Sequence, residues 1–255
     1  MDIVSPLKSD IQSLRLLWKE AFSDTDEYLD IFFDTAFSSE RSLCVKDGKT
    51  IVAMIYWFEC EYNKEPAAYL YAVATKKEFR GRGICRSLMK KTHGELLMRG
   101  YKNAFLVPAK CDLYSFYEGM GYTVCSYIDE YEAFSDESSG DTMLLEISSD
   151  AYFEKRRKLL PENSVIQEKE CKALLEKTCG FYLGNGFIFA YEVYKGELYI
   201  KEYLGEKSLI PVILQTIGYE KGYIRTPGGK KSFGMSLSLC GKENPDNVYF
   251  GFALD

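Results

Sequence analysis

The sequence predicts an α+β protein built of two consecutive units. Three observations carry that expectation. Residues 69–75 form a β-run that passes through a short charged loop into Arg80-Gly81-Arg82-Gly83, and an amphipathic helix starts at once. Strand patterns around it are joined by tight turns such as Asp47-Gly48-Lys49, the mark of hairpins. The second half then repeats the central order of the first: strand 187–194, turn 195–197, strand 198–204, helix 208–217 and strand 221–225.

The elements follow in order. Ser9-x-x-Gln12 reads as a capping box that opens a helix with Ile11, Leu14, Leu17, Trp18 and Phe22 on one face. Asp24-x-x-Glu27 opens a second helix carrying Tyr28, Leu29, Phe32, Phe33 and Ala36. Strands are expected at 42–46, 51–62 and 67–75. The helix after the glycine loop stops at Gly100, a natural residue for the position after a helix end. A strand at 101–107, a short helix at 112–119 and a long strand at 121–134 complete the order ααβββαβαβ. Residues 129–150, rich in Asp, Glu, Ser and Gly, mark the boundary between units 1–135 and 136–255. Beyond it come helices near 150–160 and 168–178, the run 154–158 (EKRRK) reading as a solvated face. The closing residues 248–255 read as strand.

Composition excludes several classes. With 46% hydrophobic and 15% aromatic residues, 255 residues bury an ample core. No run of 18 apolar residues indicates a membrane span, and the N-terminus has no basic-then-apolar leader. A net charge of −6 disfavours nucleic acid as a partner. The eight cysteines are scattered without C-x-x-C and there is one histidine, His93, so no metal is expected and a cytoplasmic, reduced setting is. His93 receives no catalytic role.

The glycine loop carries the chemistry. Glycines let backbone approach an anion, and the free N–H groups of the first helical turn point at it. RGRG alone also suits a solvated loop, but this copy is single and stands between strand and helix. A dinucleotide G-x-G-x-x-G would need glycine where Arg86 stands. The segment 226–232 (TPGGKKS) lacks a P-loop's first glycine and reads as a Pro-Gly turn.

Arg80-x-x-Gly83-x-Cys85 resembles the acyl-CoA pyrophosphate loop of the GNAT N-acetyltransferase superfamily, [Q/R]-x-x-G-x-[G/A], with Cys85 departing at the last small position. Farther on, Phe116-Tyr117-Glu118-Gly119-Met120-Gly121-Tyr122 resembles that family's [FL]YEKLGF segment. The resemblance implies a GNAT fold, a mostly antiparallel sheet whose two parallel strands splay to admit acetyl-CoA. The second unit resembles a degenerate GNAT-like half, as in the Eis-like branch; its loop Gly205-Glu206-Lys207 has no cofactor signature.

By the same resemblance, the amides of Gly81, Arg82, Gly83, Ile84 and Cys85 hold the diphosphate, with Arg80 or Arg82 adding charge. Backbone groups of Val73 and Thr75 pair with the pantetheine arm, and Tyr117 is the general acid for the leaving thiolate. Glu59, Glu61, the terminal Asp255 or a water remain alternatives for the general base. The implied activity is acetyl transfer from acetyl-CoA to a primary amine of a small molecule or peptide. A non-catalytic acyl-CoA sensor is the alternative. Oligomeric state stays open.

Overall fold

The structure is a computed structural model that describes residues 1–136, 141–167 and 169–254. The first half runs β1 (Asp2–Val4), α1 (Ile11–Phe22), α2 (Asp26–Thr35), β2 (Ser42–Asp47), β3 (Thr50–Tyr62), β4 (Glu65–Thr75), α3 (Ile84–Met98), β5 (Asn103–Leu106), α4 (Leu113–Glu118), β6 (Thr123–Val124) and β7 (Tyr127–Phe134). The second runs β8 (Leu144–Glu146), α5 (Ser149–Leu159), β9 (Ile166–Gln167), α6 (Glu170–Thr178), β10 (Gly180–Gly184), β11 (Phe187–Tyr194), β12 (Glu197–Leu204), α7 (Ile210–Thr216), β13 (Lys221–Pro227), β14 (Lys231–Ser232) and β15 (Met235–Ser238).

These strands make two sheets, ordered β1-β2-β3-β4-β5-β15-β6, with β9 also beside β3, and β14-β7-β13-β12-β11-β10-β8. Each contains the same device. β3 and β4 are antiparallel, α3 crosses over, and β5 returns parallel to β4. Likewise β11 and β12 are antiparallel, α7 crosses over, and β13 returns parallel to β12. The repeated order in the sequence is thus a repeated topology, and both sheets are otherwise mostly antiparallel.

The two halves also exchange strands. β15, from the second half, pairs antiparallel with β5 at the point where β7, from the first half, pairs with β13 in the other sheet. The expected single strand over 121–134 is therefore two strands in different sheets. The chain turns at Cys125 and Ser126, whose N–H groups both donate to Gly234 O, at 2.9 and 3.2 Å.

Local signals held unevenly. β3 is covered on both faces, which explains its near-continuous apolar run: Met54, Tyr56 and Phe58 pack with Leu14, Trp18 and Phe32 of α1 and α2, while Ile55 and Trp57 pack with Leu88 and Leu96 of α3. Helix starts differ in detail. Asp10, not the Ser9–Gln12 pair, accepts a bond from Leu7 N–H at 2.8 Å ahead of α1. Thr25 caps α2 by accepting from Tyr28 N–H at 3.2 Å, freeing Asp24 to accept from Trp18 Nε1–H at 2.7 Å. Gly100 does close α3, at φ 89°.

Two further expectations are corrected. The run 154–158 is not wholly solvated: Arg156 is 1% exposed, because Glu202 waits for it in the second sheet. Residues 248–254 form no strand, yet Val248, Tyr249, Phe250, Phe252 and Ala253 are buried between the two halves.

Candidate active site

The parallel pair β4–β5 decides where a ligand fits. The strands pair only at Ala67–Asn103, Ala68–Ala104 and Tyr69–Phe105, after which β4 continues alone on that side to Thr75. A bulge helps it diverge: the register with β3 shifts between Met54 and Tyr56, and Ala72 opposite the shift takes φ 49°. Lys76 N–H donates to Val52 O at 2.8 Å, toward β3. By strand alternation the N–H and C=O groups of Val73 and Thr75 then face the open edge.

At the end of that edge stands the glycine loop. Gly81 and Gly83 both sit at φ 74°, where a side chain is strained, and no atom lies within 4 Å of where either Cβ would be. Both are exposed, and Gly83 is the N-cap of α3 with no side chain bonded to the first turn. The first-turn amides of Ile84, Cys85 and Arg86 have no helical partner, so an open, partly positive concavity faces outward. Arg80 and Arg82 brace the loop from within. Arg80 Nε donates to Thr75 O at 2.9 Å; Arg82 Nη2 donates to Glu78 O at 2.8 Å, and Arg82 Cζ lies 5.1 Å from the Phe79 ring centre. Their remaining N–H groups stay exposed.

Cys85 points back toward the strand. Its thiol is pushed up to about 11 by burial, with the neighbouring Thr75 hydroxyl opposing in part. It is a packing residue at this pH, not a thiolate nucleophile. Thr75 Oγ1 is buried without a completed hydrogen bond.

Tyr117 comes from α4, which the second motif builds. Arg86 Nη1 donates to Gly119 O at 2.5 Å, tying the first turn of α3 to the end of α4. Tyr114 Oη donates to Ser232 O at 2.9 Å and Phe233 O at 3.1 Å, tying α4 to the other half. Tyr117 is 7% exposed, and burial first, then the nearby Cys85, raises its hydroxyl well above the ordinary tyrosine value. It therefore stays protonated across the working pH range. Behind it Tyr122, in ring contact at 5.9 Å, shares a 2.7 Å hydrogen bond with Nε2 of His93, whose pKa burial lowers to about 4.

The carboxylates lie elsewhere. Glu59 is opposite Ala68 and Glu61 opposite Pro66, toward the start of β4, whereas the loop follows its end. From Ala68 to Thr75 is about 20 Å at the usual strand rise. Lys169 pairs with Glu59 and holds its carboxyl below the usual range; Tyr101 Oη also donates to it at 3.2 Å. Asp255 lies outside the described residues, but Leu254 N–H donates to Tyr69 Oη at 3.4 Å, which brings the end of the described chain to the parting of β4 and β5. Among the described residues no group of three His, Cys, Asp or Glu side chains is placed to hold a metal, and no helix is long and apolar enough to cross a membrane.

A cleft of about 560 Å³ opens over the half of the second sheet that carries Glu130, Glu192, Tyr199, Lys201, Tyr223 and Arg225. Tyr28, whose hydroxyl meets that of Tyr71 on β4 at 2.6 Å, is held protonated chiefly by burial, with Glu192 adding a small like-charge effect.

Sequence reasoning missed the Ala72 bulge, the Arg86–Gly119 bond and the strand β15. Only the last had a signal, the alternation in residues 235–239 (MSLSL).

Residues 3–125 match the acetyltransferase (GNAT) domain family. No curated protein matches the chain in sequence. Solved structures share its fold over nearly its whole length. A GCN5-related N-acetyltransferase from Anabaena variabilis is 14% identical with a TM-score of 0.74, and one from Kribbella flavida is 14% identical with 0.70. Each alignment covers 93% of this chain and 72% of the other. Eis1 from Mycobacterium abscessus is 10% identical with a TM-score of 0.69, covering 94% of this chain and 74% of its own. Residues 3–125 thus match the GNAT acetyltransferase domain family, in a chain whose fold is similar to that of Eis1.

Proposed function

We propose that this protein transfers an acetyl group from acetyl-CoA to a primary amine of a small molecule or peptide. The observation that carries the reading is the alignment of two features: an open strand edge where β4 leaves β5, and at its end an exposed, positive-φ glycine loop on the N-terminus of α3. The diphosphate would sit on the amides of Gly81, Arg82, Gly83, Ile84 and Cys85, with Arg80 and Arg82 adding charge. The pantetheine arm would pair with the backbone of Val73 and Thr75. On this reading residues 1–135 are the acyl-CoA-binding unit and 136–255 a unit without a cofactor loop, each lending the other a strand.

The chemistry follows from those positions. The amine nitrogen attacks the thioester carbonyl carbon, and an N–H of the open edge donates to the developing oxyanion. Collapse breaks the C–S bond, and the departing sulfur takes the proton of Tyr117 Oη. The Tyr117 hydroxyl makes no hydrogen bond among the described residues, as a proton donor awaiting its acceptor requires. The amine's proton passes to a base or to water. The pairing of Glu59 with Lys169 makes it a poor base, which favours Glu61, Asp255 or a water.

The test is thiol release from acetyl-CoA in the presence of primary amines of several classes. Amine-dependent release with recovery of the N-acetyl product supports the reading. Binding of acetyl-CoA without release, whatever the amine, would make the protein a sensor instead.

A further inference from the structure

The segment 249–254 has no ladder of its own and is nonetheless among the most buried parts of the chain. At one end it touches the candidate site. Phe250 packs edge-on against Tyr69 at 4.8 Å and stacks with Phe105 at 6.1 Å, the two residues that form the last parallel pair before β4 and β5 part. Leu254 N–H donates to Tyr69 Oη.

Its other anchor is a carboxylate of the second sheet. Glu202, on β12, is 0% exposed and accepts four hydrogen bonds: from Arg156 Nε at 2.6 Å and Nη2 at 2.9 Å, from Tyr152 Oη at 2.8 Å and from Tyr249 Oη at 3.0 Å. Every lone-pair site of the carboxylate is filled. Arg156 lies over the Phe252 ring at 5.1 Å, and Gln167 donates to Phe252 O. A Cβ on Gly251 would overlap Glu202 Oε1 and the Tyr249 ring, so the backbone rests directly on this cluster. A fully buried ion pair adds little net stability over an apolar replacement, because both ions lose their water. Its effect here is to fix one segment in one place.

We propose that Glu202 is a positioning residue for acyl transfer: through Tyr249, Arg156 and Gln167 it clamps residues 249–254 against Tyr69 and Phe105, so that the second half of the chain builds the wall of the acyl end of the site. The inference rests on the acetyl-CoA reading given above. The glycine loop, at the other end of β4, does not depend on the clamp.

The experiment compares acetyl-CoA with adenosine 3′,5′-bisphosphate, which reproduces only the nucleotide end, in wild type, Glu202→Gln and Gly251→Ala. Calorimetry gives affinity and hydrogen exchange follows the amides of 249–254. In both variants the segment exchanges faster, acetyl-CoA binds about tenfold or more weakly, and the bisphosphate stays within about twofold of wild type. A merely structural role would weaken both ligands alike, which overturns the proposal, as does a released segment with both affinities intact. Where a variant fails to fold, the wild type decides. Acetyl-CoA must slow exchange at 250–254 more than the bisphosphate does, and equal protection overturns the clamp alone. Failure of the wild type to bind either ligand overturns the acetyl-CoA reading as well.

Discussion

Tyr69 of β4 faces Phe105 of β5 as the last of three parallel pairs, and beyond it β4 keeps an edge paired with no strand as far as Thr75, whose carbonyl Arg80 Nε reaches. An unpaired edge inside a sheet, ending at a helix N-terminus, is a place for an extended ligand with an anion at one end. Gly83 is where the anion comes nearest the backbone. At φ 74° an alanine costs about 1–2 kcal/mol. Its Cβ meets no protein atom but occupies the space an anion needs. Gly83→Ala should therefore lower the thermal midpoint slightly while weakening acetyl-CoA binding by about tenfold or more in calorimetry.

Tyr117→Phe removes only a hydroxyl that no described residue uses. Acetyl-CoA affinity should be unchanged within about twofold, and turnover should fall about a hundred- to ten-thousand-fold, the usual worth of a general acid. Because burial raises the tyrosine's pKa, the wild-type rate should show no loss from tyrosine ionisation below pH 10. Steady-state kinetics on both proteins across pH check this; full activity in the phenylalanine variant removes Tyr117 from the mechanism.

His93 makes stability depend on pH. Its folded pKa of about 4 lies below the ordinary 6.5, so between those values the unfolded chain binds the proton and the folded one does not. Stability contributed by the neutral histidine is full above 6.5 and is lost as pH falls toward 4. That interval, at about 1.4 kcal/mol per pH unit, amounts to about 3 kcal/mol at most. Urea unfolding at pH 7 and pH 4.5 should show His93→Gln with a markedly smaller acid loss than wild type. Equal losses would place the pH sensitivity elsewhere.

The strand exchange predicts that a chain of residues 1–135 does not fold alone. Its sheet would lack β15 beside β5, and β7 would hang free without β13. Exposed edges of that kind aggregate. Circular dichroism and size exclusion on the fragment check it; a cooperative, monomeric fragment would contradict it.

The glycine loop, the β2–β3 hairpin and the Phe116–Tyr122 segment were legible because each obeys local rules: positive-φ glycines, turn chemistry and helical spacing. What escaped depends on contacts far apart in the chain. Nothing near Cys125 announces that the chain leaves one sheet for the other, because the break is made by Gly234, more than 100 residues on. Arg156 looked solvated because its neighbours are charged; Glu202, 46 residues away, buries it. Glu59 looked available as a base because Lys169 is 110 residues distant. Cofactor-loop chemistry is local and was readable, whereas the walls of the acceptor side are assembled by both halves.

The central claim is that the loop 80–85 holds the diphosphate of acetyl-CoA. Calorimetric titration of acetyl-CoA into wild type and into an Arg80→Ala/Gly83→Glu variant tests it most directly. The account predicts saturable one-to-one binding by wild type and none by the variant, with the variant's circular dichroism unchanged. A wild type that binds no acetyl-CoA, or a variant that binds it as well, would contradict the account.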